Sequence, residues 1–461
     1  MSLRDAIKKS LRFIEVDQAV GFAILGNLTT LIFGPLAALL IITRFSPELQ
    51  GFYYSYSSLT MVQFILDFGL GQAIIQFASH EWAGLSISKG GKVSGHSYSL
   101  SRLISLGHVA FRWYGLTSIV ILGGLTPIGY LFFSAANAPG IQWIWPWIFL
   151  CLGLGLNCLL IPFFYLLQGC NQVVQYWRYR FIQQAICGLS LCAALLFGAD
   201  LWALPLASFI GLVWSAVFLL LHYPKFLPVF FSTCRGPVIA WGKELWPVQW
   251  KMAISWLSAS FTTFFFTPLI FLFSGPIKAG QMGITVSINS ILLAVASNWA
   301  VTKAPGFGIL IARKRYEELD QRFFRSLRVS LEAVCLGAIF ILVTVILLNR
   351  SNNPFRDRIL LPLPLGLLLA ATVLNSIVLN FAIYLRAHKQ EPLARTYFIG
   401  SMIIISSSLI LAPFAGAVGI TAAYLAVILG FQLPASFIIF KRCRALWHDQ
   451  DDRTCSLGMN M

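Results

Sequence analysis

Apolar residues run along this chain in blocks of about twenty, separated by short stretches that carry charge, Pro or Gly. A helix needs about 20 apolar residues to cross a bilayer, so each block predicts one membrane span. The pattern predicts twelve, at 18–43, 52–79, 107–133, 143–168, 180–198, 201–222, 249–273, 282–304, 328–349, 359–386, 396–415 and 417–440. The expected fold class is therefore all-α, a polytopic membrane protein of twelve transmembrane helices. They divide into an N-terminal part over 1–222 with spans 1–6, a cytoplasmic linker over 223–248, a C-terminal part over 249–440 with spans 7–12, and a cytoplasmic tail over 441–461.

Composition agrees with that pattern. Hydrophobic residues are 58% and charged residues 11% of the 461, and mean hydropathy is +0.77. Soluble domains carry about 25% charged residues, so little room is left here for a sizeable soluble domain. The net charge of +16 would suggest nucleic acid in a soluble protein. Topology gives it another meaning, and no nucleic-acid partner is expected. With the N-terminus in the cytoplasm, only Arg44, Lys278, Arg350, Arg356 and Arg358 fall on the outer side, leaving 28 of the 33 Lys and Arg residues inside. That asymmetry predicts cytoplasmic N- and C-termini. Met1 to Asp17 lacks the apolar core of a signal peptide and is expected to lie on the membrane as an amphipathic helix, with Arg4, Lys8, Lys9 and Arg12 towards the headgroups. The basic runs Arg313, Lys314, Arg315 and Arg322, Arg325, Arg328 share one cytoplasmic loop, where they set topology against anionic lipid.

Every outward connection is short, the longest running from about Arg350 to Arg358. That disfavours a membrane glycosyltransferase or polymerase with an outer catalytic loop and favours a transporter. Pro and Gly interrupt the spans at Gly34-Pro35, Pro127, Pro146, Pro162, Pro205, Pro268, Pro362, Pro364, Pro413 and Pro434, as in transporter helices that bend. A faint repeat links the halves: Pro47 and Gly51 begin span 2 at the offset at which Pro276 and Gly280 begin span 8. The nine cysteines fall within spans or on the inner side, and the six histidines are dispersed along the inner boundary. Neither set has the spacing of a metal site, so no metal or cofactor is expected. No nucleotide-binding or catalytic motif is present, so uphill transport would draw on an ion gradient of H+ or Na+. Aromatic groups such as Trp143-Trp145-Trp147 and Trp241-Trp246-Trp250 fall at predicted membrane boundaries, where they read as an interfacial belt, with sugar stacking the alternative for the first group.

Few charges lie inside spans. Arg112, Lys251, Lys303 and Glu332 are near the inner interface, where they can either snorkel or line a cavity mouth. Asp67 lies at mid-span, where a charge costs about 2.5 to 3.5 kcal/mol and normally faces protein or water. Two readings stay open for it: a structural hydrogen bond or ion pair to a neighbouring span, or an ion-coupling carboxylate in a cavity. Asn27, Gln63, Asn289 and Asn298 are candidates to line the same cavity.

The run from Gly34 through Arg44-Phe45-Ser46-Pro47-Glu48-Leu49-Gln50-Gly51-Phe52-Tyr53-Tyr54 to Phe68-Gly69-Leu70-Gly71 and Gln76-Phe77-Ala78-Ser79-His80-Glu81 resembles the Wzx-type polysaccharide and O-antigen flippases of the multidrug, oligosaccharidyl-lipid and polysaccharide exporter superfamily. The resemblance covers about residues 20 to 90 and rests on span layout beyond that. It implies two six-helix lobes around a central, cationic cavity and alternating access in a bacterial inner membrane. The implied cargo is an undecaprenyl-pyrophosphate-linked oligosaccharide destined for lipopolysaccharide or capsule, with polysaccharide polymerase and chain-length proteins as partners. On that expectation Arg112, Lys251 and Lys303 would meet the pyrophosphate and Asp67 would couple an ion. The rivals are a cation-coupled multidrug antiporter of the same superfamily and a non-transporting member of a polysaccharide-assembly complex.

Overall fold

The computed structural model describes residues 18–458 apart from 88–92, 137, 139, 235, 302, 352–353 and 389. The surface helix expected over the first seventeen residues, with Arg4, Lys8, Lys9 and Arg12, lies outside them. The chain forms two compact units, one ending at Ala253 and the other beginning at Ile254.

The first unit opens with α1 (Gln18–Arg44), an apolar helix with only Arg44 in its last turn. Ser46 caps the next helix by accepting from the Leu49 N–H at 3.2 Å, with Pro47 at the first helical position, where a missing N–H costs nothing. Three short helices follow in place of one continuous span: α2 (Pro47–Thr60), α3 (Val62–Asp67) and α4 (Leu70–Trp82). A two-stranded hairpin, β1 (Leu85–Ile87) against β2 (Val93–Gly95), pairs Ser86 with Ser94 and is the one departure from an all-helical fold among the described residues. Then come α5 (Ser97–Val120), a π-helical turn at Ile121–Leu125, α6 (Thr126–Ser134), α7 (Ile144–Gly169), α8 (Val173–Leu196) and α9 (Ala203–His222).

Helix α1 packs along α8, where the absent side chain of Gly188 leaves the space that Phe33 fills. Between α8 and α9, Tyr179 shares a 2.7 Å hydrogen bond with Ser215, and Gln183 donates to the same hydroxyl at 3.0 Å. The core runs from Leu70, Ile74 and Ala78 through Leu103, Leu106 and Tyr114 to Phe164 and Phe218, and takes in Phe226, Phe230 and Ile239 of the segment after α9.

Helix α10 (Trp246–Val301) follows a π-helical turn at Trp241–Leu245 and is interrupted at Gly275, whose φ of 83° and ψ of 175° are accessible only to glycine. The second unit continues with α11 (Ala304–Ala312), α12 (Tyr316–Arg350), α13 (Pro362–Ala387), α14 (Ala394–Val427), a π-helical turn at Ile428–Gln432 and α15 (Leu433–Gly458). Helix α14 is likewise broken, at Gly416 with φ 52°. Its core gathers Phe307, Phe323, Phe381, Tyr384 and Phe440. Asp320 at the start of α12 accepts from Tyr384 at 3.0 Å and from Arg444 Nε at 2.8 Å, which fastens α15 to α12 and α13.

Among the described residues, nine helices are long and apolar enough to cross a membrane, or ten if the bent pair Pro47–Asp67 and Leu70–Trp82 counts as one span. The helices stand where the apolar blocks predicted them, with two differences. Span 2 is broken, and the blocks predicted as spans 7 and 8, and as 11 and 12, are each joined through a glycine break.

Candidate functional site

The break in span 2 falls immediately after Asp67. Phe68 and Gly69 both take left-handed backbone conformations, with φ of 48° and 72°, so α4 starts along a new axis bent 41° from the helices before it. Such a turn leaves carbonyls of the first helix and N–H groups of the second without helical partners. Adjacent residues of α5 supply part of the remedy. The Trp113 indole N–H donates to the Leu66 carbonyl at 3.0 Å, and the Tyr114 hydroxyl donates to the Asp67 carboxylate. The same carboxylate accepts from the backbone N–H groups of Gly69 and Gly71. Tyr165 from α7 packs its ring against Gly71, where an added Cβ would sit 2.4 Å from it.

Aromatic rings cover the other side of the break. Phe68 stacks on Trp246 with centroids 5.9 Å apart and planes 12° from parallel. Trp241 lies 5.3 Å from Trp246 and 6.1 Å from Trp113. The linker expected to run free over 223–248 thus folds back on the first unit. Ile239 N–H donates to the Ser105 hydroxyl at 3.0 Å. Near the start of α5, Arg102 is held between two carboxylates, Glu81 at 2.6 Å and Glu244 at 2.7 Å. Glu244 also accepts the Ala240 N–H at 3.0 Å. Hydrogen bonding to Arg102, then to Ala240, holds the Glu244 carboxyl below the usual carboxylate range.

The residues singled out from the sequence are distributed as follows. Asp67 belongs to the break and is bound there, as the structural reading of it expected. Arg112, next to Trp113 on α5, is exposed and has no hydrogen bond or ion pair among the described residues. It shares its helix stripe with the exposed Leu116 and Ile119. Lys303 stands exposed in the turn before α11, and Glu332 is exposed on α12. Asn27 is exposed on α1, and Gln63 is half-buried on α3, one turn before Asp67. Asn289 is 4% exposed and accepts from Thr372 at 2.6 Å, so it joins two helices of the second unit and does not line an open cavity. The side chains of Lys251 and Asn298 lie outside the described residues. Trp147, expected in an interfacial belt, is a core residue: it is fully buried, its N–H donates to the Thr126 carbonyl at 3.1 Å, and its ring fills the space beside Gly129. Only Trp145 of that trio is mostly exposed, at 63%.

Sequence reasoning missed the Tyr114 partner of Asp67 and the Glu81–Arg102–Glu244 cluster. The partners are separated by 47, 21 and 142 residues, beyond any local spacing rule.

No protein-family model and no curated sequence matches this chain. Solved structures do share its fold. An inward-facing multidrug resistance MATE family transporter of the MOP superfamily superposes with a TM-score of 0.64 at 14% identity, covering 91% of this chain and 98% of that one. The lipid II flippase MurJ, in an inward closed conformation, gives 0.61 at 12% identity over 91% of this chain and 87% of its own. The MATE multidrug transporter DinF-BH, solved in complex with a rhodamine dye, gives 0.59 at 14% identity over 96% and 97%. The chain has the fold of MOP superfamily transporters, and the proteins it resembles are transporters and flippases rather than enzymes.

Proposed function

We propose that the chain is a flippase for a polyprenyl-pyrophosphate-linked oligosaccharide, of the Wzx type, working by alternating access in a bacterial inner membrane with both termini in the cytoplasm. The fold admits both a lipid flippase and a drug pump, so the choice rests on charge. The observation that carries it is the commitment of the one deep carboxylate. Asp67 is taken up by Tyr114 and two backbone N–H groups, while the span cations Arg112 and Lys303 are exposed with no acidic partner among the described residues. That balance suits a pyrophosphate, which forms strong charge-assisted bonds with Arg and Lys, better than a cationic drug. Lys251 would join them at the cytoplasmic mouth. Polysaccharide polymerase and chain-length proteins would be its partners.

In this reading Asp67 couples H+ or Na+ to movement. An ionised carboxylate accepts all three of its donors; protonation removes one acceptor position and loosens the break in span 2. The second reading, a cation-coupled multidrug antiporter, is favoured by the likeness to the MATE structures over nearly the whole chain. Purified protein in proteoliposomes separates the two. A short-chain polyprenyl-pyrophosphate disaccharide is expected to become accessible in the opposite leaflet, with the rate cut about tenfold or more by Arg112→Ala or Lys303→Ala. Efflux of a cationic rhodamine dye dependent on Asp67, with no movement of the glycolipid, would overturn the flippase reading.

A further inference from the structure

The aromatic cluster over the break in span 2 is built differently from an interfacial belt. Belt tryptophans keep the ring in apolar surroundings and the N–H in the wet headgroup layer. Here the Trp241 N–H is turned inward, donating at 3.1 Å to the side-chain oxygen of Gln249, a fully buried residue. The Trp113 N–H is likewise used up on Leu66. Fixing the polar edges leaves the ring faces as the available surface: Trp241 is 37% exposed and Trp246 38%. Phe68 and Trp241 brace Trp246, so its orientation is set before any ligand arrives. Beside Trp241, the Gln249 amide nitrogen is buried with no hydrogen-bond partner among the described residues. Around the platform the acids are engaged, Asp67 by Tyr114 and Glu244 by Arg102, whereas Lys243 is exposed.

Rigid, partly exposed indole faces flanked by a free cation fit a sugar ring carried next to an anionic group. The C–H face of a pyranose lies flat on such a ring, and the nearby positive charge rejects a flat cationic ligand. We propose that Trp241 and Trp246 form a stacking subsite for the pyranose nearest the phosphate of the transported lipid; this rests on the flippase reading above. The platform recognises the sugar, and the lipid diphosphate is held elsewhere.

The test uses the full chain in lipid nanodiscs and two probes, a short-chain polyprenyl pyrophosphate with a disaccharide and the same lipid without sugar. Trp246→Ala is expected to weaken binding of the glycolipid about tenfold and leave binding of the bare lipid unchanged, with Trp246→Phe restoring most of the loss. Trp241→Ala should behave in the same way. With 5-fluorotryptophan in the unmutated side chains, the Trp246 resonance should shift with the glycolipid and stay in place with the bare lipid, a measurement that does not depend on a variant folding. Equal losses for both probes, or a Trp246 resonance indifferent to the sugar, would overturn the subsite even in a protein that still moves the glycolipid. A wild-type protein that binds neither lipid but binds a rhodamine dye would overturn the subsite and the flippase reading together.

Discussion

Asp67 shows how a charge survives at membrane depth. Its cost is offset by three donors, and the bend that supplies two of them also creates the open N–H groups it satisfies. Removing the hydroxyl with Tyr114→Phe should therefore lower stability by about 1–3 kcal/mol, read as a drop in the thermal midpoint in detergent. Asp67→Asn keeps an acceptor for the backbone and should cost less than Asp67→Ala; the reverse order would mean that the carboxylate does not hold the break. At Glu244 the depressed carboxyl gives a pH dependence with a definite sign. Its contribution is fully present above the ordinary carboxylate range and is lost as pH falls through its lowered folded value. Hydrogen exchange in 236–245 should accordingly be unchanged from about pH 8 to 6 and rise in strongly acidic solution, and Glu244→Gln should remove most of that rise. The sequence marked Asp67 as exceptional from its position alone. It could not supply Tyr114, because the partner depends on how α5 lies against the bend.

At the scale of elements, most helices were legible because crossing a bilayer demands long apolar runs. The breaks were less so. Phe68-Gly69 carries no Pro and sits in an apolar run, yet both residues turn left-handed; only the tertiary bonds from Trp113 and Tyr114 stabilise that arrangement. The Pro47/Pro276 match has a physical counterpart, since each proline follows directly on the chain's departure from the preceding helix and begins the next. Gly275 is the position where this matters most. A Cβ there meets no atom within 4 Å, so substitution is penalised by backbone conformation alone. Gly275→Ala should cost about 1–3 kcal/mol, measured by denaturation in mixed micelles. A neutral result would imply that the backbone there is helical and α10 continuous.

For the whole molecule, the two readings of span number make opposite demands on that glycine. If α10 and α14 each cross once, the stretch Phe264–Ala294 is a single span and Lys278 lies at membrane depth. If Gly275 and Gly416 are turns at the outer surface, the spans number twelve, and Lys278 is one of only five basic residues outside. The exposure of Lys278 and its 3.3 Å hydrogen bond to Gln281, a surface arrangement, favour the second alternative. Cysteine labelling decides between them. Cys187, Cys234, Cys335 and Cys443 are only partly buried and must first be replaced, together with Cys455 in the tail, whereas Cys151, Cys158, Cys170 and Cys192 are buried and should stay silent. In that background an impermeant maleimide applied to intact cells should label Lys278→Cys at once and Lys314→Cys only after permeabilisation. Silence at position 278 under both conditions would place it within the bilayer, remove the turn at Gly275, and with it the pairing of spans 7 and 8 on which the two-lobe reading depends.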